Sequence, residues 1–261
     1  MYTIKKVNKN EISQMREDYY KNLIAPMDDF WETGVFPHCE FFSITEENVI
    51  GFFSLDGENI LNQLYVMDQS KYKEILQYII TVKKITKAYA SSYDPLFLEA
   101  CKLFRIDISD NTLLYTEGIH HKPTNPIKCI TYKVANSEDL EQAIDYSNNA
   151  GIGGDWIIDY YKKIMKFGGL ILFIKNNKII GTGESRPSEK SKNYANIGVS
   201  VGVDYRRKGI ATYIINTMRE MANSKGEKAI CSTTTDNIAS QLTLSKCGFT
   251  IYHKIYNISF K

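Results

Sequence analysis

Val199-Ser-Val-Gly-Val-Asp-Tyr-Arg-Arg-Lys-Gly-Ile-Ala-Thr-Tyr213 runs from an apolar strand straight into a turn with three consecutive basic residues, then a glycine, then a helix. Beyond Gly209, the residues Ile210, Ile214, Met218 and Met221 recur at three- to four-residue spacing and so line one helix face. The first amides of a helix have no partner within it, and the helix dipole puts partial positive charge at the same end. Such an end binds phosphate. Gly209 lets the backbone approach an anion with no Cβ in the way, and Ala211 keeps the first turn slim. Arg206, Arg207 and Lys208 add charge at the rim, where a hydrogen bond to an ionised group contributes roughly 1.5–3 kcal/mol. A solvated surface turn would use the same residues, so their surroundings decide.

Working outward from that stretch, Cys129 to Val134 reads as a strand, and Ser137 to Tyr146 and Trp156 to Met165 read as helices. Gly169 to Ile174 and Lys178 to Gly183 read as strands joined through Asn176-Asn177, a hairpin turn signal. A strand from Tyr194 to Val203 leads into the basic turn. Lys228 to Ser232 reads as a strand, Asn237 to Lys246 as a helix, and Phe249 to Phe260 as closing β structure.

The same order recurs upstream. Tyr2 to Val7 is a strand, Glu11 to Asn22 helical, and Phe41 to Thr45, Val49 to Leu55 and Ile60 to Val66 are strands before a helix at Tyr72 to Lys83. Thr86-Lys-Ala-Tyr-Ala-Ser precedes the helical Leu96 to Phe104, as Glu227-Lys-Ala-Ile-Cys-Ser precedes Ile238 to Cys247. This parallel reads as a duplication; a coarse likeness of two ordinary α/β segments is the alternative. Gly118-Ile-His-His-Lys-Pro-Thr-Asn-Pro126 interrupts every periodic pattern, which makes 118–128 a linker between a domain at 1–117 and another at 129–261.

Arg206-Arg-Lys-Gly209-Ile-Ala211 resembles the signature of the GNAT superfamily of acyl-CoA-dependent N-acyltransferases: Gln or Arg, two free positions, Gly, one free position, then Gly or Ala. Asp236-Asn237-Ile-Ala-Ser240 and Lys246-Cys-Gly248-Phe249 resemble the family's later Asn-containing helix and the Gly-Phe after it, so the resemblance covers about Ile130 to Phe260. It implies an α/β fold with a mixed, mostly antiparallel central sheet flanked by helices, here in two tandem copies. Acetyl-CoA is the implied cosubstrate. A strand ending at Val203 would splay from its neighbour, freeing amides near Val201 and Val203 for the pantetheine arm and the thioester carbonyl. Arg206, Arg207, Lys208, Gly209, Ile210 and Ala211 would hold the pyrophosphate, and Asn237 and Ser240 would approach the pantetheine or adenosine. Asn237 also suits a helix N-cap.

Amide formation needs a neutral amine, yet an unperturbed Lys-type amine has a pKa near about 10.4. A positioned base contributes roughly a hundred- to ten-thousand-fold. The family often takes that base from a Glu on the central strands, and Glu184 is the candidate; a solvated strand-end carboxylate is its bland reading. Asn196 stands where some relatives carry a Glu. Many relatives place a Tyr four residues before the Gly of Gly-Phe to protonate the thiolate, and here that position is Leu244. Tyr213 and Tyr252 are the spatial substitutes the sequence offers. Cys247, with no His nearby, reads as packing. Asn148-Asn-Ala-Gly-Ile-Gly-Gly-Asp-Trp156 falls where the family shapes its acceptor pocket, so Asp155 could attract an ammonium group and Trp156 could stack on the acceptor. A flexible loop with a helix-capping Asp and a core Trp accounts for the same residues.

The upstream half departs from the pattern: Tyr65-Val-Met-Asp-Gln-Ser-Lys-Tyr72 has no glycine and no basic triplet, which points to a structural role for that copy. Composition limits the partners. With 261 residues the chain holds about 1.7 domains at roughly 150 residues each. Its net charge of +2 is too small for a sequence-independent nucleic-acid clamp. Five scattered cysteines lacking any C-x-x-C pair suggest neither disulfides nor zinc, and read as reduced thiols of a cytoplasmic protein. His120-His121 lacks ligand partners. No apolar run approaches a membrane span, and no G-x-G-x-x-G is present. The expected activity is N-acetyl transfer from acetyl-CoA to a primary amine, on a small molecule or a peptide, by direct attack in a ternary complex. The alternative is a non-catalytic module that binds acyl-CoA or a partner protein.

Overall fold

The computed structural model describes residues 1–118 and 127–261, so His120-His121 and most of the 118–128 linker lie outside the described residues. The chain forms two compact units that trade segments across that linker. Unit one comprises Met1–Leu114, Ser232–Asp236 and Ile251–Lys261, and unit two comprises Tyr115–Cys231 and Asn237–Thr250.

Unit one begins with β1 (Thr3–Val7), a 3-10 turn at Lys9–Ile12 and α1 (Ser13–Asn22). Then come β2 (Glu40–Thr45), β3 (Val49–Leu55), β4 (Leu61–Val66), α2 (Tyr72–Lys83), β5 (Lys87–Ser91) and α3 (Pro95–Phe104). β6 (Arg105–Glu117) follows, a strand that the polar run Arg105-Ile-Asp-Ile-Ser-Asp-Asn111 hides from sequence reading. Unit two holds β7 (Thr131–Val134), α4 (Leu140–Ala150), α5 (Asp155–Met165), β8 (Leu170–Lys175) and β9 (Lys178–Pro187). β10 (Tyr194–Val201), α6 (Ile210–Ser224), β11 (Lys228–Thr234) and α7 (Ile238–Lys246) follow, and β12 (Phe249–Phe260) ends the chain. At the β8–β9 hairpin, Asn176 and Asn177 take φ of 49° and 58°, the pair of positive values a type I′ turn needs.

The pairings repeat. β1–β2, β2–β3 and β3–β4 are antiparallel and β4–β5 parallel; β7–β8, β8–β9 and β9–β10 are antiparallel and β10–β11 parallel. The strands of the two units thus pair on the same mostly antiparallel plan. Unit one is completed beside β5 by β12, the last strand of the chain, with Ile255 opposite Ser91 and Ser259 opposite Lys87. Lys254 O accepts from the Ser92 amide at 2.9 Å and from Ser91 Oγ at 3.1 Å.

In unit two, Ala143, Ile157, Tyr161, Ile164, Leu170 and Leu172 form a core that α4 and α5 share with β8. α6 buries Ile210, Ile214 and Met218 of the face its spacing defines, together with Ala222, while Met221 is half-buried. In unit one, Asp94 caps α3 by accepting from the Phe97 amide at 3.2 Å, and burial pushes its carboxyl up to about 7. The unfolded chain releases that proton near pH 4. Stability contributed by the neutral acid is therefore complete below that pH and is lost as pH rises through about 7. Asp94→Asn keeps a capping side chain and removes the titration. Its melting temperature at pH 8 should exceed that of the parent by several degrees, with a flatter slope between pH 5 and 8. An unchanged slope would show that Asp94 does not govern it.

Candidate functional site

β10 stays paired with β9 as far as Val201 opposite Gly181, but its parallel pairing with β11 spans only Tyr194–Lys228 to Asn196–Ile230. From Ile197 onward the two parallel strands diverge, although β11 continues to Thr234. The Gly202 amide donates to Ile180 O of β9 at 3.0 Å. Since backbone groups alternate sides along a strand, Ser200 turns its amide and carbonyl to β9 as well. Those of Val199 and Val201 then face the opening. Val203 lies beyond the strand, in a 3-10 turn at Val203–Tyr205, because Gly202 turns the chain out of the ladder. Its side chain is exposed.

The basic turn divides its charges. Arg206 Nε donates to Val201 O at 3.1 Å and its Nη2 to Ala150 O at 2.9 Å, tying the strand end to the end of α4. Lys208 Nζ donates to Asp204 O at 2.8 Å. Both side chains brace the loop, and Arg207 is the exposed cation of the three not held by a backbone carbonyl among the described residues. Gly209 takes φ of 77°, a left-handed conformation costly to other residues. The Tyr213 amide, bonded to Gly209 O at 3.1 Å, is the first to find an acceptor inside α6. The amides of Gly209, Ile210, Ala211 and Thr212 therefore lack helical partners. Glycine offers no capping side chain, and a Cβ at 209 would meet nothing within 4 Å. They open on a cleft of about 890 Å³ whose walls include Val199, Val201, Gly209, Ala211, Asn237 and Ser240. Asn237 Oδ1 accepts from the Ser240 amide at 3.1 Å, so Asn237 caps α7 while lining the cleft.

On the face of the sheet covered by α4 and α5, β9 and β10 present successive rungs. Thr182 faces Ser200, Glu184 faces Gly198, and Arg186 faces Asn196. Gly198 leaves room for the carboxylate, since a Cβ there would stand 3.2 Å from Glu184 Oε2. The Tyr160 hydroxyl donates to that oxygen. Burial, then the Glu184 charge, holds the phenol far above its ordinary range, so it remains a donor. Arg186 lies over the Tyr160 ring at 5.7 Å, and Trp156, which is 59% exposed, packs on Tyr160 at 5.6 Å. Asp155 is the first residue of α5. Tyr160 carries no local sequence signal; its partner is 24 residues away.

Other candidates fall elsewhere. Leu244 is buried and lines the cleft without a hydroxyl. Tyr213 is buried against Phe173 at 5.6 Å, and Tyr252 belongs to unit one, where its hydroxyl donates to Pro26 O at 3.3 Å. Cys247 packs with its Sγ 3.7 Å from Thr212 O, and burial pushes its thiol up to about 11, too high for a nucleophile. Among the described residues, no cluster of His, Cys, Asp and Glu could hold a metal. No described helix is long and apolar enough to cross a membrane.

In unit one the corresponding helix start is that of α2. Asp68 Oδ1 accepts from the Ser70 amide at 3.0 Å and from Ser70 Oγ at 2.6 Å just ahead of α2, so a carboxylate already serves that turn. Beyond the single β4–β5 pair at Leu61 and Ala88, aromatic side chains including Tyr19, Trp31 and Tyr89 leave a cavity of about 10 Å³.

In unit two, two parallel strands thus part beside a helix start with open amides. The chain belongs to the GNAT acetyltransferase family, as two GNAT domains in tandem: residues 8–118 match the model of an acetyltransferase (GNAT) domain, and residues 141–249 that of the acetyltransferase (GNAT) family. It is similar to a GNAT-family acetyltransferase from Colwellia psychrerythraea, with 25% identity over 99% of this chain and 100% of that one and a TM-score of 0.89. It shares its fold with a GCN5-related N-acetyltransferase from Sphaerobacter thermophilus, at 11% identity over 98% and 94% of the two chains and a TM-score of 0.70. A tandem GNAT protein from the clavulanic acid biosynthesis pathway has the fold at 13% identity, over 100% and 98%, with a TM-score of 0.64. No curated protein is significantly similar in sequence. The protein is thus an acyltransferase of a family that generally uses acetyl-CoA.

Proposed function

We propose that the C-terminal domain binds acetyl-CoA in the cleft between β10 and α7 and transfers its acetyl group to a primary amine by direct attack within a ternary complex. The observation that carries this reading is the start of α6, where four amides without helical partners open on the cleft. Gly209, Ile210 and Ala211 supply backbone donors to the pyrophosphate, and Arg207 adds a cation at the rim. Arg206 and Lys208 hold the loop in shape. The amides of Val199 and Val201 face the pantetheine arm, with Val203 at its outer end; Asn237 and Ser240 flank it from α7. Acetyl-CoA supplies an activated thioester.

Glu184 accepts the proton that the attacking amine must lose, and Tyr160 fixes the carboxylate by its hydrogen bond. Gly198 keeps the space beside Glu184 open to the acceptor, and Asp155 and Trp156 stand at the beginning of α5, where an ammonium group or an apolar body would pass. The acceptor is an amine on a small molecule or a peptide. The 1–117 copy is structural. None of the five cysteines is joined in a disulfide, which suits a reducing compartment, the cytoplasm.

Isothermal titration should give one acetyl-CoA bound per chain, and coenzyme A should be released as free thiol when members of an amine panel are added. A folded protein that takes up no acetyl-CoA would end this reading. Two sites per chain would overturn the structural role of the N-terminal copy.

A further inference from the structure

Leu244 leaves the cleft without the hydroxyl that many relatives place there, and neither Tyr213 nor Tyr252 lines it. Ser200 does line it. Its Oγ lies 3.0 Å from Tyr146 Oη and 2.7 Å from Thr182 Oγ1. A hydroxyl has one hydrogen to give and two lone pairs to receive. Either oxygen can donate in each pair; in the arrangement where Tyr146 and Thr182 both donate, the lone pairs of Ser200 are filled and its own hydrogen is left for the cleft. Thr182 belongs to β9 and Tyr146 to α4, so two different elements hold the Ser200 hydroxyl. Burial pushes the Tyr146 phenol up to about 12, which keeps it protonated, and so able to donate, at neutral pH.

We propose that Ser200 is the catalytic residue that donates a hydrogen bond to the departing sulfur, and that Tyr146 and Thr182 are positioning residues that aim its hydrogen. This rests on the acyl-CoA reading of the cleft. In the step concerned, the carbon–sulfur bond breaks and its electron pair leaves on sulfur while the carbonyl of the new amide re-forms. The proton of the nitrogen goes to Glu184. Ser200 keeps its own proton throughout, and the released thiolate takes one from water. A preorganised donor acts on charge as it develops, without reorganisation at the moment of reaction.

The test is an ultraviolet titration of the thiolate of coenzyme A bound to the full-length protein. Ser200→Ala should raise the pKa of the bound thiol by about one unit, Tyr146→Phe should raise it by less, and Ser200→Thr should return it to the parent value. Turnover of acetyl-CoA by Ser200→Ala should fall about tenfold. A bound thiol whose pKa is the same in parent and Ser200→Ala overturns the proposal while leaving the cleft assignment intact. Failure of the parent protein to bind coenzyme A removes both.

Discussion

Gly209→Asp should raise the dissociation constant for acetyl-CoA by at least about 100-fold. Two effects combine. The new carboxylate stands at the mouth of the open amides of α6 and competes for the donors a pyrophosphate would use, while its charge repels the ligand. Losing two charge-assisted hydrogen bonds, at roughly 1.5–3 kcal/mol each, amounts to about 3 kcal/mol or more, and 1.4 kcal/mol is tenfold in affinity. The φ of 77° at this position adds strain, but aspartate tolerates the left-handed region better than most residues and is a favoured cap. The variant should therefore remain folded, with α6 intact by circular dichroism. Unaltered affinity in calorimetry would rule out the start of α6 as the diphosphate site.

The second large effect lies in the chemical step. Glu184→Gln should lower kcat roughly a hundred- to ten-thousand-fold at pH 7, with the KM for acetyl-CoA nearly unchanged. Glutamine keeps an oxygen to receive the Tyr160 hydrogen bond, so the substitution removes basicity and spares the packing. The residual rate should climb with pH, because the fraction of neutral amine grows tenfold per unit up to about 10.4 for a Lys-type acceptor. Retention of kcat within twofold would assign the proton to water or to another group.

Both substitutions target residues legible in the sequence, and the reason is local. A strand, a basic turn, a glycine and an amphipathic helix are contiguous, so Arg206 to Ala211 reveal themselves within one short window. What the window does not show is how charge is shared: Arg206 and Lys208 turn back to carbonyls of Val201, Ala150 and Asp204. Val203 reads as the end of a strand because it is apolar and alternates, yet the turn at Gly202 takes it out of the ladder. Tyr160, Tyr146 and Ser200 gain meaning only from partners across the fold, Tyr146 and Ser200 being 54 residues apart. β6 is hidden in the sequence because its first half alternates isoleucines with charged and polar residues, a pattern shared with exposed loops. The likeness of the two halves is visible in element order, and the identical sequence of strand pairings in the two units gives it structural form.

β12 sits beside β5 in unit one, although β7 to β11 are made between the two. The amino-terminal half of a nascent chain therefore waits, with the backbone groups along β5 unsealed, until β12 has been made. An uncovered strand border recruits other chains, so a message truncated anywhere in the second half would yield a product prone to clump rather than a tidy single domain. Because unit one takes Ile251–Lys261 from beyond α7, a cut at the linker would leave it without β12, so the first half cannot be excised as a cassette.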